Sequence, residues 1–214
     1  MKEMFTNKEG SLIVYDLIKT IQINKQYLSD IDGMIGDGDH GINMNKGFSI
    51  CGAKLAEKSG DLSYSMRTLS EVLVEDIGGS MGPLYGMFFI AMADECENKE
   101  MIDSRVFYEM LKAGEAGIRD IGSAEVGDKT MLDTLVPAVK AFHDSFEAGS
   151  SFHESLDAMK EAAIKGMEST KDLVAKVGRA SRLGERSRGY IDAGAASACL
   201  IFSSMADTIN KLLI

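Results

Sequence analysis

Proline and cysteine are scarce in this sequence and tryptophan is absent: 214 residues hold two prolines, Pro83 and Pro137, and three cysteines, Cys51, Cys96 and Cys199. An odd number of widely separated cysteines, none in a C-x-x-C pair, excludes a disulfide framework or zinc knuckle. They read as buried small hydrophobes in a reducing compartment. No apolar run reaches about 18 residues, so no membrane span is expected. The N-terminal MKEMFTNKEGS has an acidic residue and no apolar core, unlike a secretory signal, and a cytoplasmic protein is expected. Positive charge is also short. With 23 basic against 33 acidic residues the formal net charge is −10, which argues against nonspecific binding to nucleic acid or an anionic membrane. The same surplus poses a question should the ligand be a polyanion.

What is present is an ordinary globular composition, 45% hydrophobic and 26% charged, long enough to bury a sizeable core. No repeat or low-complexity linker divides the chain, so residues 1–214 read as a single domain. No sustained β-branched alternation appears, whereas helical spacing recurs. Val14, Leu17, Ile18 and Ile21 keep the i, i+3, i+4, i+7 rhythm, and so do Leu132, Leu135, Val136 and Val139. The pattern predicts eight helical segments: 10–30, 41–58, 63–77, 83–97, 104–121, 130–147, 151–176 and 193–213. Short separators favour an all-α, closed up-and-down antiparallel bundle of these eight helices. Fourteen methionines at helical spacing are core filler in this reading.

The chemistry lies in four separators. The first, IDGMIGDGDHGIN (31–43), places Asp32, Asp37 and Asp39 within eight residues, interleaved with glycines. Like charges this close repel unless a cation holds them, and hard oxygen donors on a flexible loop suit Mg²⁺. A solvated acidic turn is the bland alternative. An EF-hand is excluded because its fifth and twelfth positions are Gly41 and Phe48. The literal G-x-G-x-x-G of Gly36, Gly38 and Gly41 follows no strand and is weak. The second separator, GGSMGP (78–83), leads into a helix with Pro83 at its first position, where free amides and the helix dipole suit phosphate; close glycine packing is the alternative.

In the third separator, GSAEVGDKTMLD (122–133), Thr130 and Asp133 have capping-box spacing, so a helix is expected to start there and to kink at Pro137. The fourth, 178–194, carries Arg179, Arg182, Arg186 and Arg188, whose guanidinium forks match phosphate geometry, although a solvated loop with surface ion pairs would look alike. His40 is the only histidine inside a charged glycine loop, while His143 and His153 read as ordinary surface residues. No Ser/His/Asp or Cys/His arrangement can be argued from spacing. In an antiparallel bundle the separators after segments one, three, five and seven fall at one end, and these are the four just described. Carboxylates, glycine amides and arginines are thereby expected to meet in one polar mouth.

IGDGDHGINMNKGF, GGSMGPLYG, GDKTMLDTLVPA and GRASRLGERSRGYIDAGAASA together resemble the nucleotide-binding L subunit of dihydroxyacetone kinase, and equally the C-terminal domain of the single-chain ATP-dependent kinases. The resemblance runs from about residue 10 to the C-terminus. It implies eight antiparallel helices with ADP or ATP capping one end. On this resemblance Asp32, Asp37 and Asp39 hold two Mg²⁺ at the nucleotide phosphates, and His40, Gly41, Ile42 and Asn43 continue onto phosphates and ribose. Ser80 and Met81 approach the phosphates, Gly122 and Met131 line the adenine pocket, and Arg179 with Asp192, Ala193 and Gly194 closes over the nucleotide. Asp32, Asp37, Asp39 and Arg179 would be the catalytic set. Two departures stand out. Met81 replaces a common serine, leaving only its backbone amide for phosphate, and Ala193 replaces a common proline, leaving that turn less rigid.

The resemblance further implies that the hydroxyketone is held covalently on a histidine of a separate K subunit. The nucleotide would then either stay bound and be recharged by a phospho-histidine subunit of the phosphotransferase system, the preferred arrangement, or exchange as ATP; the sequence does not decide between them. Two other readings use the same motifs: a nucleotide-dependent regulatory or interaction protein, and a kinase subunit for a related hydroxyketone. Whether the chain forms a homodimer is left open.

Overall fold

The computed structural model describes residues 3–213; the first two residues of the N-terminal segment and the last residue of the 1–214 unit lie outside the description. Among the described residues there are nine α-helices and one two-stranded sheet. The helices are α1 (Asn7–Ile23), α2 (Lys25–Ile35), α3 (His40–Glu57), α4 (Leu62–Asp76), α5 (Met81–Cys96), α6 (Ser104–Ile121), α7 (Leu132–Glu147), α8 (Phe152–Ser169) and α9 (Ala193–Leu212). Strands β1 (Met4–Thr6) and β2 (Met101–Asp103) pair antiparallel, Phe5 opposite Ile102. Three residues each are too few to give a legible alternation, which is why the sequence pattern missed them.

Helix neighbours follow chain order from α3 to α9, and α9 returns to pack on α1, which also touches α3 and α4. The apolar stripes meet in one core. Phe48, Phe88, Phe89, Phe107, Phe142 and Phe202 are at most 1% exposed, and ring pairs such as Phe88–Phe202 and Phe107–Phe142 link helices far apart in sequence. The three cysteines are free and buried within this core. No helix among the described residues is long and apolar enough to cross a membrane.

Several boundaries differ from the periodicity, each for a local reason. The segment expected over 10–30 is two helices: Asn24 caps α1, donating its backbone N–H and its side-chain Nδ2 to the Thr20 carbonyl, and α2 then runs on to Ile35. Helix α5 begins at Met81 rather than at Pro83, so the proline is third in the first turn, where its missing N–H still costs nothing. Helix α7 begins at Leu132. The Thr130/Asp133 pair forms half of a capping box: the Asp133 carboxylate accepts the Thr130 amide (2.7 Å) and also the Gly127 amide (2.5 Å), while the Thr130 hydroxyl takes the Leu132 amide (3.2 Å) in place of that of Asp133.

Pro137 lies within continuous helix α7. It offers no N–H to the Asp133 carbonyl four residues back, and that carbonyl faces Gly166 of α8, where an added Cβ would stand 2.3 Å from it. Helix α8 ends at Ser169, well short of 176, because Thr170 turns its hydroxyl back onto the Met167 carbonyl and a 3₁₀ turn follows. Its start carries a full capping box between Ser151 and Glu154.

Candidate active site

A cavity of about 910 Å³ opens at the loop end of the helices, and all four motif-bearing separators line it. Asp32, Asp37, Asp39, His40, Asn43, Ser80, Met81, Gly122, Met131, Arg179, Asp192, Ala193 and Gly194 all face it. Gly41 and Ile42 do not. Gly41 packs α3 onto α2, where a Cβ would lie 2.0 Å from the Lys25 carbonyl, and Ile42 is half exposed outside the cavity.

The acid end is built by three backbone devices. Asp32 sits in the last turn of α2, Asp37 in the connecting loop and Asp39 at the N-cap of α3. Gly36 leaves the space in which the Asp32 carboxylate lies, since a Cβ there would be 2.2 Å from its Oδ1. Gly38 turns the chain with φ +76°, a conformation that favours glycine. The result brings one oxygen from each carboxylate within 4.8 Å of the others. An all-oxygen set of three carboxylates, two half-buried and one exposed, with cavity beside it, fits a hard divalent cation such as Mg²⁺ that keeps part of its shell for other ligands. The Arg179 guanidinium rests on Asp37 and stands 3.7 Å from Asp39, so the 178–194 segment brings positive charge to the same end.

Beside the acids, α5 points its N-terminus at the cavity. Gly79 turns with φ +77°, and Gly82 lets the first turn approach α4, where a Cβ would stand 2.4 Å from the carbonyls of Leu73 and Ile77. No side chain caps this end, so the amides of Met81 and Gly82 keep the donor capacity an anion can use. A further wall is apolar, formed by Leu84, Ile118, Met131 and Leu132 with the Gly122–Ala124 backbone. The one cavity thus offers charge, backbone donors and greasy surface together.

Two polar chains fix the floor. The Ser197 hydroxyl donates to the Gly194 carbonyl at 3.0 Å, so its lone pairs accept from Tyr85 Oη (2.7 Å) and from His40 Nε2 (2.9 Å). In that arrangement His40 carries its proton on Nε2; the Tyr85 hydroxyl also lies 3.4 Å from the Gly194 carbonyl and can donate there instead. Burial pushes the His40 imidazole down to about 4 against the opposing pull of Asp32, so it is neutral at physiological pH. Asp192 caps α9 through the Ala195 amide (2.8 Å), and its own amide donates to Thr170 Oγ1 (3.0 Å).

Burial pushes the Asp192 carboxyl up to about 6, against the Ala195 amide and Lys129, which pull it down. A carboxyl more basic in the folded chain than in the unfolded one favours folding at low pH, and that contribution is lost as pH rises through about 6. Asp192→Asn keeps an oxygen for the Ala195 amide and removes the titration. Urea unfolding of the nucleotide-free protein is therefore expected to give equal stabilities near pH 3.5 and a variant about 1–2 kcal/mol more stable than wild type at pH 7.5. A difference that does not change with pH would refute this reading of Asp192.

Sequence reasoning missed three kinds of residue here. Tyr85 and Ser197 lie on apolar helical stripes and read as core. Lys129, by type a surface residue, is 1% exposed beside the cavity. Its one available signal was its place between Asp128 and Thr130 in a glycine-led turn.

A ring of helices whose loops join a carboxylate cluster, an uncapped helix N-terminus and an apolar wall defines a helical protein suited to a metal-bound phosphate ligand with a flat apolar part. The chain belongs to the DAK2 domain family, whose model matches residues 34–207. It is 41% identical over 194 residues to the PEP-dependent dihydroxyacetone kinase 1 ADP-binding subunit DhaL of Listeria innocua, covering 90% of this chain and 92% of that protein. It is 38% identical over 182 residues to the corresponding ADP-binding subunit of the PEP-dependent kinase of Escherichia coli, covering 85% of this chain and 87% of that one. In three dimensions it is similar to the dihydroxyacetone kinase of C. freundii in its native form, with a TM-score of 0.71 and 26% identity over 92% of this chain. The present chain spans about a third of that kinase's length, 34%.

Proposed function

We propose that the chain is the nucleotide-binding subunit of a dihydroxyacetone-type kinase. It acts as one unit that presents ADP or ATP with magnesium to a hydroxyketone held by a separate K subunit in the cytoplasm. The observation that carries this is the lining of one cavity by three clustered carboxylates, the α5 N-terminus and Arg179 together with the apolar side chains of Leu84, Ile118, Met131 and Leu132. A nucleotide likewise combines phosphates with a base. The names of the relatives favour the phosphotransferase-system arrangement, in which ADP stays bound and is rephosphorylated by a phospho-histidine subunit.

Asp32, Asp37 and Asp39 would hold two Mg²⁺ ions, which when bound neutralise phosphate charge. The chain's own residues do the positioning that phosphoryl transfer chiefly needs. The amides at Ser80–Gly82 receive phosphate oxygens; Met81 contributes its backbone alone. His40, neutral and bonded through Nε2 to Ser197, presents its other ring nitrogen toward the nucleotide, and Asn43 lies one turn further along the same face of α3. Gly122 gives the base room against Met131. Arg179 and the Asp192–Ala193–Gly194 turn close the open side.

Mixing the chain with a matched hydroxyketone-holding subunit, its phospho-donor subunit and dihydroxyacetone tests this. Dihydroxyacetone phosphate is expected to form only when all are present with Mg²⁺. Substitution of ATP for the donor subunit, with equal turnover, would shift the assignment to direct ATP use. No product under either condition would overturn it.

A further inference from the structure

The cavity is bounded on one side by the loop 122–131 and on another by the strap 170–192, two segments that belong to different helix pairs. Two lysines join them, Lys176 through Asp128 and Lys129, and of the two Lys129 reaches both ends of the strap. Lys129 is almost fully buried, and its ammonium donates to the carbonyl of Thr170 and, at 2.5 Å, to that of Tyr190, the two ends of the strap. It is also the only non-glycine residue with positive φ among the described residues, at +64°. A lysine accepts both a strained backbone and desolvation of its charge only where its partners over-determine the place.

The surrounding bonds reinforce the same junction. The Asp133 carboxylate fixes the turn that carries Lys129 through the amides of Gly127 and Thr130. Asp128, next in chain, accepts the Lys176 ammonium at 2.8 Å, and its carbonyl accepts the Lys176 amide at 3.1 Å. Within the strap, Gly189 donates to the Lys171 carbonyl at 2.7 Å and Ala175 to Ser187 Oγ at 2.9 Å, so its two ends lie together. Asp192 then hangs from Thr170 Oγ1. Fixing Thr170 and Tyr190 therefore fixes where the strap holds Arg179 and where α9 begins.

We propose that Lys129 is a positioning residue that ties the strap to the apolar wall of the cavity and so sets the gap in which the nucleotide is held. The nucleotide half of this rests on the function proposed above; the tie itself does not. Lys129 acts through Thr170 and Tyr190, whose carbonyls take its ammonium. Three tetrahedral donors on a long stem reach two converging carbonyls, and charge-assisted bonds to buried carbonyls are among the stronger ones a chain can make.

Lys129→Met keeps the apolar stem and removes the donors. Lys129→Gly also removes them and relieves the left-handed backbone, so it is the variant whose fold is least at risk. The strap contains Arg179, Arg182, Arg186 and Arg188, which makes limited trypsin digestion a local reporter. In both variants, at a temperature where far-UV circular dichroism shows an intact cooperative fold, cleavage within 179–188 is expected to accelerate about tenfold or more. Release of Mg-ADP is expected to accelerate by a similar factor. Strap cleavage in Lys129→Gly at the wild-type rate would overturn the tie, and so would cleavage that rises only together with global unfolding. Faster strap cleavage with unchanged ADP release would overturn the nucleotide half. Failure of the wild-type chain to bind ADP at all would count against the proposed function while the digestion still decides the tie.

Discussion

Asp37→Asn is expected to abolish magnesium-dependent nucleotide binding and to lower phosphoryl transfer by about a thousandfold or more. Asp37 is an exposed residue on the loop between two glycine-shaped turns, so the change removes charge and a hard oxygen donor while leaving the backbone alone. An amide is a poor ligand for Mg²⁺ and cannot offset the repulsion between the remaining carboxylates and a polyphosphate. The variant is expected to keep its fold. Its lost ion pair with Arg179 joins two side chains that are 45% and 56% exposed, and such pairs add little to stability. Thermal unfolding and ADP titration with and without Mg²⁺, run side by side, check both halves. Tight Mg-ADP binding in a folded Asp37→Asn protein would remove Asp37 from the metal site.

Arg179→Ala is expected to lower the transfer rate by about a thousandfold to a hundred-thousandfold, with nucleotide affinity changed by less than about tenfold. The guanidinium stands against Asp37 and near Asp39 on a strap tied down at both ends, so phosphates held at the acid end fall within its reach. Arginine in such a place matters most for charge that develops during transfer, which is why the loss belongs in the rate and little of it in binding. Arg179→Lys separates charge from geometry: a point charge without the planar fork is expected to recover part of the loss and to leave a deficit of about tenfold or more. Single-turnover rates and ADP dissociation constants for both variants decide it. A variant whose rate is normal at saturating nucleotide would show Arg179 to be a binding residue only.

The sequence analysis and the structure agree where the physics is local and periodic. Amphipathic stripes such as Val14–Ile21 and Leu132–Val139 mark buried helix faces because a helix puts i, i+3 and i+4 on one side, and the core is made of these residues. The four loops were legible through glycine, whose positive φ or lack of Cβ is required at Gly36, Gly38, Gly79 and Gly82, and through topology, since alternate connections of antiparallel helices share an end.

What could not be read depends on which partner a group takes, near or far along the chain. Asn24 divides α1 from α2 by bonds to Thr20 while the apolar rhythm runs on across it. Asp133 has the spacing of a capping box and takes the Thr130 amide accordingly, but nothing in that spacing says that the same carboxylate also holds the Gly127 amide. Gly41 sits inside the aspartate- and glycine-rich loop motif, and its close approach to the Lys25 carbonyl leaves no room for a side chain. Lys129 is the extreme case, because nothing in residue type or spacing says that carbonyls 41 and 61 positions away will close around its ammonium.

The opening question, a chain of charge −10 with a polyanionic ligand, resolves in the cavity. Three of the acids gather where a divalent cation would offset their local charge, and Arg179 comes to the same place although the molecule as a whole is acidic. Isothermal titration of the nucleotide-free chain with ADP, at increasing Mg²⁺ and again in EDTA, measures this directly. One ADP per chain is expected to bind, with two Mg²⁺ taken up per nucleotide and no detectable binding in EDTA. ADP binding of equal strength in EDTA, or none at any Mg²⁺ concentration, would contradict the account.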